Sequence, residues 1–171
     1  MLIIVEGCDL AGKTTLVTEL ADNINDSRFD MKVEVYHRGP PTGSMLEEYH
    51  RPLLANYTPR LLDRHVICDR WHVGELIYGP VLRGKSELDF HTWLAIELLL
   101  KGLGAVMVYV DPGWATIEQR FYDEGDDLVL SLNQLNKIHE SYRDYFLVHP
   151  PDIVADTKTD IFDIIRLAEE R

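Results

Sequence analysis

Residues 7–15 read GCDLAGKTT, and this stretch decides how the rest of the sequence is interpreted. It places Gly7, Gly12, Lys13 and Thr14 at the spacing G-x-x-x-x-G-K-[ST], which is typical of loops that bind phosphates. Glycine lets the backbone curl so that successive N–H groups point at phosphate oxygens. We expect Lys13 to reach the distal phosphates of a nucleotide and the Thr14 hydroxyl to bind Mg²⁺. The predicted phosphate-binding residues are Gly7, Cys8, Asp9, Leu10, Ala11, Gly12, Lys13, Thr14 and Thr15.

The sequence on either side of the loop supports this interpretation. Residues 2–5 (LIIV) form an apolar, partly β-branched run that suits a buried parallel strand. Leu16, Val17, Leu20 and Ile24 then recur at the spacing of one helix face. A strand, a glycine loop and a helix therefore follow one another in the required order, which argues against a chance glycine-rich turn.

The composition is that of an ordinary globular protein, with 46% hydrophobic and 27% charged residues. A chain of 171 residues suits one domain with a sizeable core, so we interpret residues 1–171 as a single domain. The net charge of −12 disfavours nucleic acid as the main partner, because gripping its backbone requires a basic face. No apolar run reaches the roughly 20 residues of a membrane helix, and Met1 runs directly into the first predicted strand, which argues against a signal peptide.

The two cysteines, Cys8 and Cys68, do not make a disulfide scaffold. Their small number favours a reducing compartment, and we expect a cytoplasmic protein. Both could lie at adjacent strand ends, so a regulatory disulfide between them is a hypothesis to test.

Short apolar runs alternate with helical patterns along the whole chain. The predicted strands span residues 2–5, 33–36, 66–68, 105–110 and 153–155. The predicted helices span residues 14–25, 44–51, 71–78, 89–101, 114–122, 132–146 and 161–169. This alternation predicts a three-layer α/β/α fold with a five-stranded parallel sheet, in which ligands gather at the carboxyl ends of the strands.

Charged side chains stand where the second and third predicted strands end. Arg38 would hold an anionic group there, or remain a solvated loop arginine. Asp69 is a candidate ligand of Mg²⁺ through water, and the planar fork of Arg70 suits a phosphate. The alternative is an internal ion pair between Asp69 and Arg70 that only closes the strand. We prefer the functional interpretation, because two charges at such a position are costly unless they are paired or used.

Further candidates lie on the helices. Trp71 and Tyr78 would line a nucleobase pocket, or belong to the core. Arg120 would act on the donor phosphates from a lid segment at about residues 120–130, or would offset a helix dipole. The apolar helix 89–101 is interpreted as buried, and a homodimer contact on it stays open. No metal-ligand spacing on one helix face is shown by five histidines, which we interpret as ordinary: His37, His50, His65, His72 and His91.

These motifs resemble the thymidylate kinase family, within the P-loop nucleoside monophosphate kinases. The matching segments are VEGCDLAGKTTL (5–16), HRGPPTGSMLEEYHRPLL (37–54), VICDRWHVGELIYG (66–79) and VYVDP (108–112), followed by residues 119–127 and the region of Tyr142. The resemblance implies a P-loop kinase fold, ATP and Mg²⁺ as cofactors, and a small-molecule nucleotide, most closely dTMP, as the acceptor.

The resemblance also implies roles for individual residues. Asp9 matches a carboxylate that contacts the acceptor sugar or the residues that hold it. Arg38 and Arg70 match arginines that flank the transferred phosphate, and Tyr78 matches a tyrosine beside the acceptor base and sugar. Arg51, inside the second matching segment, is taken as a further substrate residue. The catalytic set is then Lys13, Arg70, Arg120 and Asp9.

The sequence also departs from that family. The family usually has a serine where Gly74 stands and a glutamine where Gly79 stands. Its lid commonly carries more than one arginine, whereas this chain has Asp123 and Glu124, so Arg120 would neutralise the donor phosphates alone.

Two other functions share the same loop and sheet. A kinase for a nucleoside or for a modified DNA base would require a general base, with Glu6, Asp9 or Asp69 as the candidate. A nucleotide-dependent switch belongs to a different class. A guanine-specific switch needs N-K-x-D, whereas residues 136–139 read NKIH.

Overall fold

The computed structural model describes residues 1–26, 33–37, 65–124, 131–156 and 158–171. Its strands form one parallel sheet in the order β2-β3-β1-β4-β5. The strands are β1 Leu2–Glu6, β2 Val33–His37, β3 His65–Asp69, β4 Val106–Val110 and β5 Ile153–Ala155. The predicted five-stranded parallel sheet is confirmed.

Helices cover both faces of this sheet, as the prediction of three layers requires. They are α1 Lys13–Asp26, α2 His72–Tyr78, α3 Phe90–Gly102, α4 Trp114–Glu124, α5 Leu132–Val148 and α6 Ile161–Glu169. Each lies within two residues of the bounds that the hydrophobic spacing predicts. The predicted helix 44–51 lies outside the described residues.

The core divides at β1, the central strand, all of whose residues are buried. Ile3 and Val5 belong to the larger cluster, which includes side chains of α1 and α6. Leu2 and Ile4 belong to the smaller cluster, to which α3 contributes Ile96 and Leu100. A strand buried on both faces reads as a continuous apolar run, which is why the run at residues 2–5 identified it.

After α2 the chain makes a π-helical turn, Gly79–Arg83, which the sequence did not predict. Glycine is required at its first position, since a Cβ there would lie 2.7 Å from the carbonyl oxygen of Lys85. The buried Glu75 carboxylate closes the turn by accepting from Arg83 at 2.6 Å and from the Glu87 amide at 2.9 Å. The turn therefore fixes the carboxyl-terminal end of α2, where Tyr78 stands.

Helix α3 is less buried than the sequence predicted. It packs through Ile96 and Leu100, but Phe90, Leu94 and Leu98 are 64%, 37% and 62% exposed. These three residues stand at i, i+4 and i+8, on one face of the helix. In the part of the chain that the structure describes, no helix has both the length and the apolar character needed to cross a membrane.

Candidate active site

The loop between β1 and α1 has the curled backbone that its glycines predict. Gly7 has φ +151° and Gly12 has φ +100°. A Cβ on Gly7 would lie 2.7 Å from the carbonyl oxygen of Val110, so no larger residue fits beside β4. Leu10 also adopts a left-handed conformation, with φ +62°, which is uncommon for a residue with a side chain. The loop thus combines close packing with local strain.

Lys13 and Thr14 open α1, directly after this loop. The buried Lys13 ammonium donates to the carbonyl oxygen of Cys8 at 2.6 Å, so it lies against the loop backbone. Thr14 and Thr15 are exposed. Because α1 runs for 14 residues from this point, its dipole favours anions at the mouth of the loop.

A cavity of about 480 Å³ opens over the loop at the carboxyl ends of β1, β2 and β3. Its lining brings together most of the predicted cationic and metal-binding side chains. The lining residues are Asp9, Leu10, Gly12, Lys13, Thr14, Thr15, His37, Asp69, Arg70 and Arg120. Gly7, Cys8 and Ala11 belong to the loop but do not line the cavity. Arg38 and Arg51 lie outside the described residues.

Arg70 pairs with Asp9, and the alternative of an internal pair with its neighbour Asp69 is wrong. The guanidinium contacts Oδ1 of Asp9 and donates to the Tyr78 hydroxyl at 3.3 Å. Tyr78 in turn donates to Oδ2 of Asp9 at 2.9 Å, and its ring centroid lies 5.1 Å from Cζ of Arg70. Asp9, Arg70 and Tyr78 therefore form one hydrogen-bonded cluster at the edge of the cavity.

Asp69 has a different partner, His37, which its sequence context predicts to be an ordinary histidine. Nδ1 of His37 lies 2.7 Å from Oδ2 of Asp69. The other oxygen, Oδ1, is buried and has no hydrogen-bond partner among the described residues. The general rule that ligands gather at strand ends was the signal for His37, because it is the last residue of β2.

A divalent cation fits this corner of the cavity. A buried carboxylate oxygen without a hydrogen bond is costly, and a hard cation such as Mg²⁺ prefers oxygen ligands. Thr14 and Asp69 line the same cavity and supply a hydroxyl and a carboxylate. Within the described ranges, no group of three or more His, Cys, Asp or Glu side chains is placed to bind a metal. A cation here would therefore depend on nucleotide phosphates for its remaining ligands.

Arg120 reaches the loop from α4, four residues before that helix ends at Glu124. Its Nη1 donates to the carbonyl oxygen of Leu10 at 2.7 Å. The same nitrogen would lie 3.2 Å from a Cβ on Gly12, so the glycine also makes room for the arginine. Arg120 is thus on a helix and not in the polar segment that follows. Residues 125–130 of that segment lie outside the described residues.

Two aromatic candidates do not line the cavity. Trp71 is only 5% exposed and belongs to the smaller core cluster, so the core interpretation applies to it. Tyr78 is also buried, and it faces the site through its hydroxyl, with no exposed ring face on which a base could stack. Neither side chain offers a nucleobase surface to the cavity.

Glu6, the last residue of β1, is completely buried at 0% exposure beside this cluster. Its Oε1 accepts from the Trp71 amide at 2.8 Å, and its Oε2 accepts from the Tyr142 hydroxyl at 3.0 Å. Burial raises the pKa of Glu6, and contacts with His72, Trp71 and Tyr142 oppose that rise. Glu6, a candidate general base from its place in the sequence, does not line the cavity.

Cys8 and Cys68 are both buried, and neither forms a disulfide. They belong to different core clusters, Cys8 to the larger and Cys68 to the smaller. Burial raises the pKa of the Cys8 thiol to about 11, which disfavours the thiolate that disulfide exchange requires. The structure therefore gives no support to the disulfide hypothesis.

Asp111 follows β4 but does not line the cavity. It accepts from Nε2 of His139 and from the Gly113 amide, each at 3.0 Å. The hydrogen bond from His139 is the main reason that the pKa of Asp111 lies below its usual range. The carboxyl end of β4 therefore makes a side-chain contact with α5.

Known structures share this architecture over nearly the whole chain. The YorR protein of Bacillus subtilis, solved with phosphorylated GDP, is 22% identical with a TM-score of 0.73, covering 99% of this chain and 96% of that chain. Deoxyadenosine kinase from M. mycoides with bound dATP is 15% identical with a TM-score of 0.55, covering 99% and 97%. The same kinase with bound dCTP is 17% identical with a TM-score of 0.56, with the same coverage.

No protein-family model and no curated protein sequence matches the chain. At these sequence identities, the similarity to solved structures establishes the fold. The chain has the P-loop kinase fold, as the sequence predicted.

Proposed function

We propose that this chain transfers the γ-phosphoryl group of ATP to the phosphate of a deoxynucleoside monophosphate, with dTMP as the first acceptor to test. One observation carries the proposal. Lys13, Arg70 and Arg120 converge on one cavity that is floored by the glycine loop and the start of α1. Three cations at a helix N-terminus suit a reaction between two highly anionic reactants.

The donor phosphates would lie over the loop amides, with Lys13 on the distal phosphates. Arg120, already in contact with the loop, would neutralise charge from the side of α4. Thr14 and Asp69 would hold Mg²⁺, which neutralises charge on the donor phosphates when it is bound. The work of the protein is then positioning and electrostatic stabilisation.

The acceptor phosphate would face Arg70. A phosphate oxygen is already anionic at neutral pH, so its in-line attack on the γ-phosphoryl group needs no strong general base. Asp9 and Tyr78 hold the Arg70 guanidinium at the cavity and so orient it toward the reacting group. The family resemblance supports dTMP, and it also supports Arg38 and Arg51 as further contacts of the acceptor.

A nucleoside kinase is the second candidate, because two of the similar structures are of a deoxyadenosine kinase. A hydroxyl acceptor requires a base within reach of its proton. Asp9 is engaged by Arg70 and Tyr78, Asp69 shares Oδ2 with His37, and Glu6 is completely buried. Because these carboxylates are already bonded or buried, we favour an acceptor whose nucleophilic oxygen is anionic without the help of a base.

The test is ADP release with Mg·ATP and a panel of acceptors: the four deoxynucleoside monophosphates, the four deoxynucleosides and an oligonucleotide. We expect a monophosphate, dTMP first, to stimulate ADP release far above basal hydrolysis. Stimulation by nucleosides alone would establish the second candidate. Slow hydrolysis that no acceptor stimulates would point to a nucleotide-dependent switch, and failure to bind Mg·ATP would reject the proposal altogether.

A further inference from the structure

The proposed mechanism leaves Glu6 and Tyr142 without a role, although both are completely buried next to Arg70. A buried carboxylate is costly unless hydrogen bonds satisfy it. Both oxygens of Glu6 have such partners, the Trp71 amide at 2.8 Å and the Tyr142 hydroxyl at 3.0 Å. Through the bond to the Trp71 amide, Glu6 and Tyr142 restrain the backbone segment that follows β3.

That segment is the turn after β3, where Arg70 has φ +67°. A residue with a side chain keeps this conformation only where its surroundings enforce it. Two adjacent residues of β1 supply the restraint. The Val5 carbonyl accepts from the Arg70 amide at 2.9 Å, and Glu6 accepts from the next amide, that of Trp71. Consecutive amides are thus fixed by consecutive residues of the central strand.

Tyr142 connects this restraint to α5. Its hydroxyl donates to Glu6, and its ring packs edge-on against Tyr78 with centroids 6.2 Å apart. Tyr78 is the residue that bonds both Arg70 and Asp9. Tyr142 therefore supports Arg70 from two sides, through the backbone turn and through the side-chain cluster.

Gly74 borders the pair, and a Cβ on it would make ordinary van der Waals contact with both side chains. A Cβ there would lie 3.5 Å from the Tyr142 hydroxyl and 3.7 Å from Oε2 of Glu6. Burial raises the pKa of Tyr142, so its phenol keeps the proton that it donates.

We propose that Glu6 and Tyr142 are positioning residues, which hold Arg70 in the orientation that faces the reacting phosphates. The effect of this positioning on catalysis rests on the proposed function. The effect on the conformation of Arg70 does not. The two parts can therefore be tested separately.

The kinetic test compares Tyr142→Phe with Tyr145→Phe. Tyr145 is a matched control because it lies on the same helix, and its hydroxyl bonds Trp93 and Glu97. We expect Tyr142→Phe to lower kcat about 10- to 100-fold, with KM for ATP within about twofold, because a small displacement of an oriented group is costly. Tyr145→Phe should leave kcat unchanged. Equal losses in both variants, or none in Tyr142→Phe, would overturn the proposal.

A double-mutant cycle with Arg70→Ala tests whether Tyr142 acts through the arginine. In that background, we expect Tyr142→Phe to change kcat by no more than about twofold, because the group that it positions is gone. Multiplicative losses would show that the two residues act independently and would contradict the proposal. Glu6→Leu removes the acceptors of Trp71 and Tyr142 and should lower kcat, whereas Glu6→Gln keeps an acceptor for Trp71 and a partner for Tyr142 and should restore most of it. Equal kcat in the two Glu6 variants would contradict the role of Glu6.

Crystal structures of the wild type and both tyrosine variants supply a readout that needs no turnover. We expect Arg70 to leave its left-handed conformation, or its contact with Asp9, in Tyr142→Phe only. An unmoved Arg70 in that variant would overturn the positioning role. If the wild type phosphorylates no acceptor, the proposed function fails while this comparison still decides the position of Arg70.

Discussion

Nδ1 of His37 lies 2.7 Å from Oδ2 of Asp69, at the point where β2 and β3 end side by side. The two residues are partners in the register of the parallel sheet. This contact restrains the Asp69 carboxylate and leaves Oδ1 buried without a partner among the described residues. If Asp69 holds Mg²⁺ as proposed, His37 would orient the carboxylate as an outer support of that site.

Loss of this support should weaken Mg²⁺ binding. We expect His37→Ala to raise the Mg²⁺ concentration needed for half-maximal binding of a fluorescent ATP analogue by roughly 10-fold, as for other outer contacts of metal ligands. His37→Asn should restore much of the binding, because its amide can still donate to Asp69. His91→Ala, at an exposed histidine on α3, is the control. An unchanged Mg²⁺ dependence in His37→Ala would contradict the assignment.

Removal of the Lys13 ammonium should abolish most of the turnover and leave the fold intact. We expect Lys13→Ala to lower kcat by about 10²- to 10⁴-fold, because the charge that develops on the phosphates loses one of the cations that line the cavity. Steady-state ADP release measures the loss, and circular dichroism during heating checks folding. Lys101→Ala, at an exposed lysine on α3, is the matched control. A rate near that of the wild type would remove Lys13 from the mechanism.

Arg120 should act on the donor side of the reaction. We expect Arg120→Ala to lower kcat by about 10²-fold and to leave KM for the acceptor within a small factor, since Arg120 contacts the loop backbone. Arg166→Ala, an exposed arginine on α6, is the control. A change confined to the acceptor KM would place Arg120 on the opposite side of the cavity.

Local pattern was enough to predict the sheet, the loop and most of the residues that line the cavity. The glycine spacing around Lys13 and the apolar runs before each strand end are short-range signals, and each depends on a few consecutive residues. Parallel topology then brings the strand ends together, so Asp69, Arg70 and the loop meet without further information.

The hydrogen-bond and ion-pair partners of the polar side chains could not be predicted in the same way. Arg70 pairs with Asp9 and not with its neighbour Asp69, whose carboxylate contacts His37. The bond between Tyr142 and Glu6 joins residues 136 positions apart. Such contacts depend on how α5 packs on the sheet, which hydrophobic spacing does not specify. The sequence also could not show that one face of α3 is exposed, since apolar residues stand on several of its faces.

The buried Glu6 carboxylate should make stability depend on pH. Burial raises its pKa in the folded state above the ordinary value of 4.5, so the folded chain binds this proton more tightly than the unfolded chain does. The associated stability is complete below about pH 4.5 and is lost as the pH rises through the raised pKa. Glu6→Gln cannot titrate, so its free energy of unfolding relative to the wild type should increase with pH above about 4.5.

Urea unfolding of the wild type and Glu6→Gln at several pH values between about 4.5 and 8.5 measures this difference. Glu19→Gln, at an exposed position on α1, serves as the control for removal of a carboxylate. A difference between Glu6→Gln and the wild type that is constant with pH would show that burial does not change the protonation of Glu6.

The exposed apolar face of α3 should mediate a homodimer. Phe90, Leu94 and Leu98 form an uncharged stripe on a chain whose net charge is −12, so two copies can approach there with the least repulsion between like charges. We expect Leu98→Lys to shift the chain from dimer to monomer in sedimentation equilibrium at micromolar concentration, with an unchanged thermal midpoint at high dilution. Phe162→Lys, at a similarly exposed residue on α6, should not change the mass. A wild type that stays monomeric at high concentration, or equal effects of both substitutions, would exclude α3 as the contact.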